Sequence, residues 1–159
     1  MPLKLDSVDR KLLAHLQKDG KASVQDLAEA AGLSPSPCWR RVKRLEEAGA
    51  IKGYVARLDP KKLGLDALAY VFVSLVDHQE RTIKQFAGLV EREERIVECA
   101  SVTGGSDFIL KVAARDPEDL ETFLMRGVLG SGLVRASQTH FVLRRTKTRS
   151  PWPLLPSEE

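Results

Sequence analysis

An α+β fold in two parts is predicted by three features of this 159-residue chain. Three short amphipathic segments fill the first fifty residues, and only Gly32-Leu33-Ser34 separates the second from the third. Helices joined by so short a turn cross steeply, which is the helix-turn-helix arrangement. From residue 67 the hydrophobic period alternates between strand and helix in the order β-α-β-β-α-β, the ferredoxin-like unit, with an antiparallel four-stranded sheet and both helices on one face. Between them "DPKKLGLDA" (59–67) combines proline, glycine and charge, as boundaries do. The expected organisation is a helical domain over 1–50, a linker strand and hinge over 51–66, a ferredoxin-like domain over 67–148 and a Pro-rich tail over 149–159.

Each element has its own signal. In "DSVDRKLLAHLQKDG", Asp6 caps a helix with Asp9 three residues on, Val8, Leu12, His15 and Leu16 form its stripe, and Gly20 stops it. "SVQDLAEAAG" opens with the capping box Ser23/Asp26, continues with Val24, Leu27, Ala28 and Ala31, and closes at Gly32. The third helix starts at Ser34 and ends near Ala48–Gly49, with Pro35 and Pro37 in a first turn that needs no backbone donors. "AIKGYVARLD" alternates as a strand or extended linker does. "LAYVFVSLV" is a strand apolar on both faces. "QERTIKQFAGLVEREE" is a helix with Ile83, Phe86, Ala87 and Val90 at helical spacing. "RIVECASVTG" and "DFILKVAAR" are strands parted by Gly104-Gly105-Ser106. "DPEDLETFLMRGVLG" is a helix capped by Asp116, and "LVRASQTHFVLRRTK" is the last strand. The tail "TRSPWPLLPSEE" has three prolines in twelve residues and is expected to be extended and poorly packed unless a neighbouring chain covers it.

Composition narrows the function. Hydrophobic content of 43% and charged content of 30% suit a soluble globular protein. The longest apolar run, Leu68 to Val76, is broken by Ser74 and is too short to span a bilayer, and no signal-peptide pattern is present, so a cytoplasmic protein without a membrane partner is expected. Cys38, Cys99, His15, His78 and His140 offer neither a disulfide framework nor metal-ligand spacing. No catalytic set stands out, so no enzyme, metal or cofactor is expected. Net charge is +3, and all of it lies in residues 1–60, with eleven Lys/Arg against eight Asp/Glu, while residues 61–159 hold fourteen of each.

That charge concentrates in "SPSPCWRRVKRLEEAG". On a helical wheel centred on Val42, the residues Cys38, Leu45 and Pro35 face inward. Arg40 and Arg44 point nearly opposite, flanked by Ser36, Pro37 and Lys43. Arg41 sits on one shoulder. Trp39 sits on the other, near the buried edge, and is assigned to packing with Cys38, a place against the DNA sugar-phosphate being the alternative. No acid falls between Glu29 and Glu46 in sequence. A solvated face is the ordinary use of such a charge run; behind a tight helix-helix turn it suits a recognition helix in a DNA major groove. Ser34 at its start, Ser36, Pro37 and Arg40 would approach base edges, and Arg41, Lys43 and Arg44 phosphates. The amide ends of the first two helices are expected to help clamp the backbone.

These stretches resemble the Lrp/AsnC, or feast/famine, transcriptional regulators from Leu5 to about Lys147. The resemblance is carried by "LDSVDRKLLAHLQKDGK", "LAEAAGLSPSPCWRRVKRLEEAGAIKGYVARLDPKKLG", "VTGGSDFILKV" and "TKTRSPWPLLP". It implies a winged or simple helix-turn-helix, a linker strand and a ferredoxin-like ligand domain. It also implies dimers that pair through their sheets and assemble into tetramers or octamers, and a small-molecule effector, usually an amino acid. Residue patterning agrees on pairing, because Tyr70, Phe72 and Val76 make a second apolar sheet face that needs a cover. A dimer also implies a roughly palindromic double-stranded DNA site. Carried over by position, the effector residues are Gly104, Gly105, Ser106 and Asp107 in the turn and Ser137 and Thr139 in the last strand. The turn is also explicable as a plain hairpin. The sequence departs from the family at Ser106, where an aromatic is common, and at Ser137-Gln138-Thr139, where Thr-Arg-Thr is. The alternative on the same architecture is a sirohaem-decarboxylase-like enzyme, which would need His and Arg converging in the ligand domain.

Overall fold

Two capping boxes organise the first part of the chain, whose computed structural model describes residues 3–147 and 151–155. Helix α1 (Ser7–Lys18) starts where the Asp9 N–H donates to Asp6 Oδ1 at 2.8 Å and the Asp6 N–H donates to Asp9 Oδ2 at 3.2 Å. Helix α2 (Val24–Ala31) repeats the device with Ser23 and Asp26, and Gly32 closes it at φ 70°. A side chain in that left-handed conformation costs about 1–2 kcal/mol, so glycine permits the abrupt turn. Helix α3 (Pro35–Glu47) follows at once, with Pro35 in its first turn. Leu12, Leu27, Ala28, Ala31 and Cys38 form the core among the three helices, with Val8, Leu16, Leu33 and Val42 against it.

The chain divides into two compact units, one running to Arg57 and including the segment from Lys147 on, the other spanning Leu58–Thr146. The cut falls inside the stretch expected as linker. Residues 52–59 make no strand, so the extended alternative holds for the single chain. Tyr54 Oη donates to Glu46 Oε1 at 2.8 Å and ties the linker to the end of α3. Within the first unit the C-terminal segment is anchored by its backbone. The Trp152 N–H donates to Gln17 Oε1 at 2.5 Å, and Gln17 Nε2 donates to the Trp152 carbonyl at 3.2 Å. The Trp152 ring itself is largely exposed. Residues 149, 150 and 156–159 of the expected tail lie outside the described residues.

The second unit contains β1 (Ala67–Leu75), α4 (Glu80–Arg92), β2 (Ile96–Ser101), β3 (Phe108–Ala114), α5 (Pro117–Phe123) and β4 (Val134–Phe141). The sheet order is β2-β3-β1-β4, antiparallel throughout. Alternation along β1 puts Val71, Val73 and Leu75 into a core with Phe86, Leu110, Val112, Leu120 and Val128. Tyr70 and Phe72 point the other way and stay partly exposed. Two elements end earlier than their patterns predict. Helix α5 gives way at Leu124 to a π-helical turn and a 3₁₀ turn through Ser131. A Cβ at Gly130 would lie 2.9 Å from the Met125 carbonyl oxygen, so this close fold-back requires glycine. Strand β4 stops at Phe141, opposite Ala69, although the Val142 N–H still donates to the Leu68 carbonyl at 2.9 Å. Among the described residues no helix is long and apolar enough to cross a membrane.

Candidate nucleic-acid interface and ligand pocket

Helix α3 lies on the surface of its unit, anchored through Cys38 and Leu45, both fully buried. Ser34, Ser36, Trp39, Arg40, Lys43 and Arg44 are exposed, and Pro37 and Arg41 are half-buried. The outward face is therefore the one the wheel selects, but its charge is arranged differently. Arg41 Nη1 lies 2.6 Å from Asp6 Oδ2 and 2.9 Å from Asp9 Oδ1, and Arg44 Nη2 lies 2.5 Å from Asp9 Oδ2. The Asp9 side chain is 1% exposed, whereas its partners Arg41 and Arg44 reach it from the surface, 31% and 51% exposed. Both Asp9 oxygens are engaged. Asp6 is held below the usual carboxylate range, first by the Asp9 N–H and then by Arg41. The same two carboxylates push the Arg41 guanidinium further up.

Two expectations change as a result. Arg44 does not stand free opposite the core: in the single chain Arg41 and Arg44 are both turned onto the acids at the start of α1. Wheel reasoning missed this because the nearest acids in space come from thirty-odd residues away in sequence. The same acids alter the expected backbone clamp. The first turns of α1 and α2 direct amides at their own capping carboxylate and hydroxyl, Asp6 and Ser23, and Asp26 stands beside the second. An anion approaching there meets negative charge. Trp39 also departs from expectation. It is 51% exposed rather than packed, with Lys43 Nζ 5.1 Å from its ring centroid. Lys43 has one further partner, Glu47 at 3.9 Å, an exposed pair worth little. Arg40 has no ion pair or side-chain hydrogen bond among the described residues. Of four cations, two are matched by Asp6 and Asp9, and the α3 face presents Arg40 and Lys43 beside Ser36 and Trp39.

In the second unit the turn after β2 carries Gly104 at φ 123°, a conformation that only glycine adopts readily. Asp107 is tied into its surroundings and lines neither of the two cavities described below. Its Oδ2 accepts the Leu75 N–H at 2.8 Å, its Oδ1 lies 2.8 Å from His78 Nε2, and its own N–H donates to the Val73 carbonyl at 2.9 Å. His78 first, then the Leu75 N–H, hold this carboxyl below its usual range. A small cavity of about 200 Å³ lies beside the turn, lined by Phe72, Ser74, Gly105, Ser106, Ala136, Ser137 and Gln138. Gly105, Ser106 and Ser137 thus come together, while Gly104 and Asp107 support the turn from behind. Ser74, the residue that interrupts the apolar run of β1, is the sequence signal for this pocket, since it pairs with Ala136 of β4. Thr139 is elsewhere. It lines a second cavity of about 460 Å³ with Leu120, Leu124, Met125, Leu129 and Phe141. The two histidines of this unit do not converge: His78 holds Asp107, and His140 stands edge-on to Phe72 with centroids 5.3 Å apart.

Comparison with known proteins bears on both units. The Lrp/AsnC ligand binding domain matches residues 68–152, and a winged helix-turn-helix DNA-binding domain matches residues 5–52. The leucine-responsive regulatory protein of Salmonella typhimurium is 37% identical over 143 residues, 90% of this chain and 87% of that protein. The HTH-type transcriptional regulator AldR of Mycolicibacterium smegmatis is 35% identical over 147 residues, covering 92% and 86%. Among solved structures, a transcriptional regulator of Neisseria meningitidis in complex with L-Met superimposes with a TM-score of 0.92 at 33% identity, covering 95% of this chain and 97% of that one.

Proposed function

This chain belongs to the Lrp/AsnC family of transcriptional regulators, with a DNA-binding helix-turn-helix and a ligand-binding domain, and we propose that it reads double-stranded DNA through the outward face of α3. Arg40 carries this reading. It is exposed, has no partner among the described residues, and stands on the N-terminal half of a helix whose other face is buried. A guanidinium so placed suits guanine O6 and N7, with Ser34, Ser36 and Pro37 close to base edges and Lys43 and Trp39 along the sugar-phosphate. The protein acts in the cytoplasm as a regulator and catalyses no reaction.

Self-association completes the reading. Tyr70, 37% exposed, and Val97, 56% exposed, lie on the sheet with Phe72 outside the helix-covered core. A second copy covering that face would present two α3 helices to a roughly palindromic site. Further assembly to tetramers or octamers follows the family. The effector is an amino acid, bound beside Gly105, Ser106 and Ser137, with Ser74 and Gln138 supplying polar contacts. The crystallised L-Met complex of the Neisseria meningitidis regulator supports that ligand class. Footprinting on genomic fragments, with and without each amino acid, tests both halves. Protected palindromes whose occupancy shifts with one amino acid are expected, and absence of any protected sequence would overturn the reading.

A further inference from the structure

The four charges joining α1 to α3 ask for a role beyond packing. Asp9 is fully buried yet sits at the start of a surface helix, and its carboxylate does three things at once. It completes the α1 capping box, accepts from Arg41, and accepts from Arg44. Asp6 repeats this on the exposed side, capping α1 through Oδ1 and holding Arg41 through Oδ2. Together the two aspartates remove two positive charges from the very face that approaches DNA. Non-specific binding to a duplex is counterion release, and each cation placed on a phosphate adds about 0.9 to the slope of log K against log salt. Base contacts do not scale in that way. Withholding two arginines from phosphates therefore weakens sequence-independent binding and flattens its salt slope, while the base contacts of α3 are left as they are.

We propose that Asp9, assisted by Asp6, is a positioning residue that limits sequence-independent DNA affinity and its salt dependence: it keeps Arg41 and Arg44 on the protein, neutralised, so that α3 holds non-specific DNA with Arg40 and Lys43 alone. This rests on α3 being the DNA-reading helix. The arrangement also aims α3, because both guanidinium groups are staples between the recognition helix and the helix that supports it.

The test uses the full-length protein and a random-sequence duplex, with affinity measured across salt concentrations. Asp6→Ser with Asp9→Asn frees the arginines while a serine cap and the shape of the buried side chain remain. Its non-specific slope should steepen by about 1.8, two phosphates' worth, with a rise in affinity for the random-sequence duplex at low salt. Adding Arg41→Gln and Arg44→Gln to that variant removes all four charges, so no buried charge is left unpaired and the fold is spared. This quadruple variant should regain the wild-type slope. A quadruple variant whose slope is flatter than wild type by about 1.8 would overturn the proposal, because the arginines would then already lie on phosphates in the unaltered protein. An unchanged slope in the folded double variant would overturn it too. Should the double variant fail to fold, the comparison of quadruple with wild type decides alone. Wild-type protein that ignores every duplex at low salt would remove the DNA reading itself, a result distinct from any change of slope.

Discussion

Replacing Arg40 by alanine separates the proposed reading of α3 from a merely solvated charged face. The side chain is exposed and makes no ion pair or side-chain hydrogen bond among the described residues, and neither Cys38 nor Leu45, the buried anchors of α3, depends on it. Substitutions of that kind shift stability by no more than about 0.5 kcal/mol, so the melting temperature should hold. Binding should not. A bidentate guanine contact is worth roughly 1–3 kcal/mol per helix, a loss of about 5- to 140-fold on each half-site. Fluorescence anisotropy with a duplex selected by the wild-type protein, alongside a scrambled duplex, measures both affinities. A loss confined to the selected duplex places Arg40 on a base. An equal loss on both, with a slope shallower by about 0.9, places it on a phosphate. Unchanged affinity for both duplexes at every salt concentration would refute the assignment of this face to DNA.

Other expectations follow from the remaining contacts. Asp107→Asn should abolish the response of DNA binding to the effector amino acid while leaving DNA affinity without effector unchanged, since the side chain ties the turn to the end of β1 and to His78; ligand titration by calorimetry checks it. Phe86→Ala should cost about 3–5 kcal/mol, as this ring is 1% exposed and lies 4.9 Å from that of Phe108; chemical denaturation followed by circular dichroism measures the loss. Arg115, through its side chain and then its N–H, pulls the Asp119 carboxyl down to about 2. Against an unfolded value near 3.9, its stabilisation is complete above about pH 4 and lost as pH falls towards 2. Asp119→Asn should therefore flatten the fall in melting temperature between pH 4 and pH 2 and leave its shape above pH 5 alone. Gly32→Ala should destabilise the helical unit by about 1–2 kcal/mol through its φ of 70°, with no clash to blame because nothing lies within 4 Å of the added carbon; the same denaturation experiment reports it.

What the sequence discloses depends on how far each interaction reaches along it. Capping boxes span three residues, and Asp6/Asp9 and Ser23/Asp26 are legible as written. Strand alternation spans two, and it correctly sorts Val71, Val73 and Leu75 from Tyr70 and Phe72. Strand ends do not follow from alternation: β4 stops at Phe141 while the apolar pattern runs on to Leu143, and Val142 keeps one further bond to Leu68. Helix α5 ends early because of a fold-back at Gly130 onto the Met125 carbonyl, which is a steric fact. The residues of the proposed effector pocket are half legible: the turn and β4 are recognisable, yet only pairing of Ser74 with Ala136 reveals which β4 residues share a cavity with Gly105. The charge on α3 is the sharpest case. A wheel assigns each side chain a direction from its own helix and treats that helix as alone. Asp9 reads as the fourth residue of a capping box, which is correct and sufficient locally, and nothing in that reading reserves its carboxylate for anything else. Both of its oxygens nevertheless face α3. A residue already explained by short-range geometry is thus where a long-range function is most easily overlooked, and here it reverses the sign of the argument: four clustered cations persist on this helix because two are already answered from within the protein.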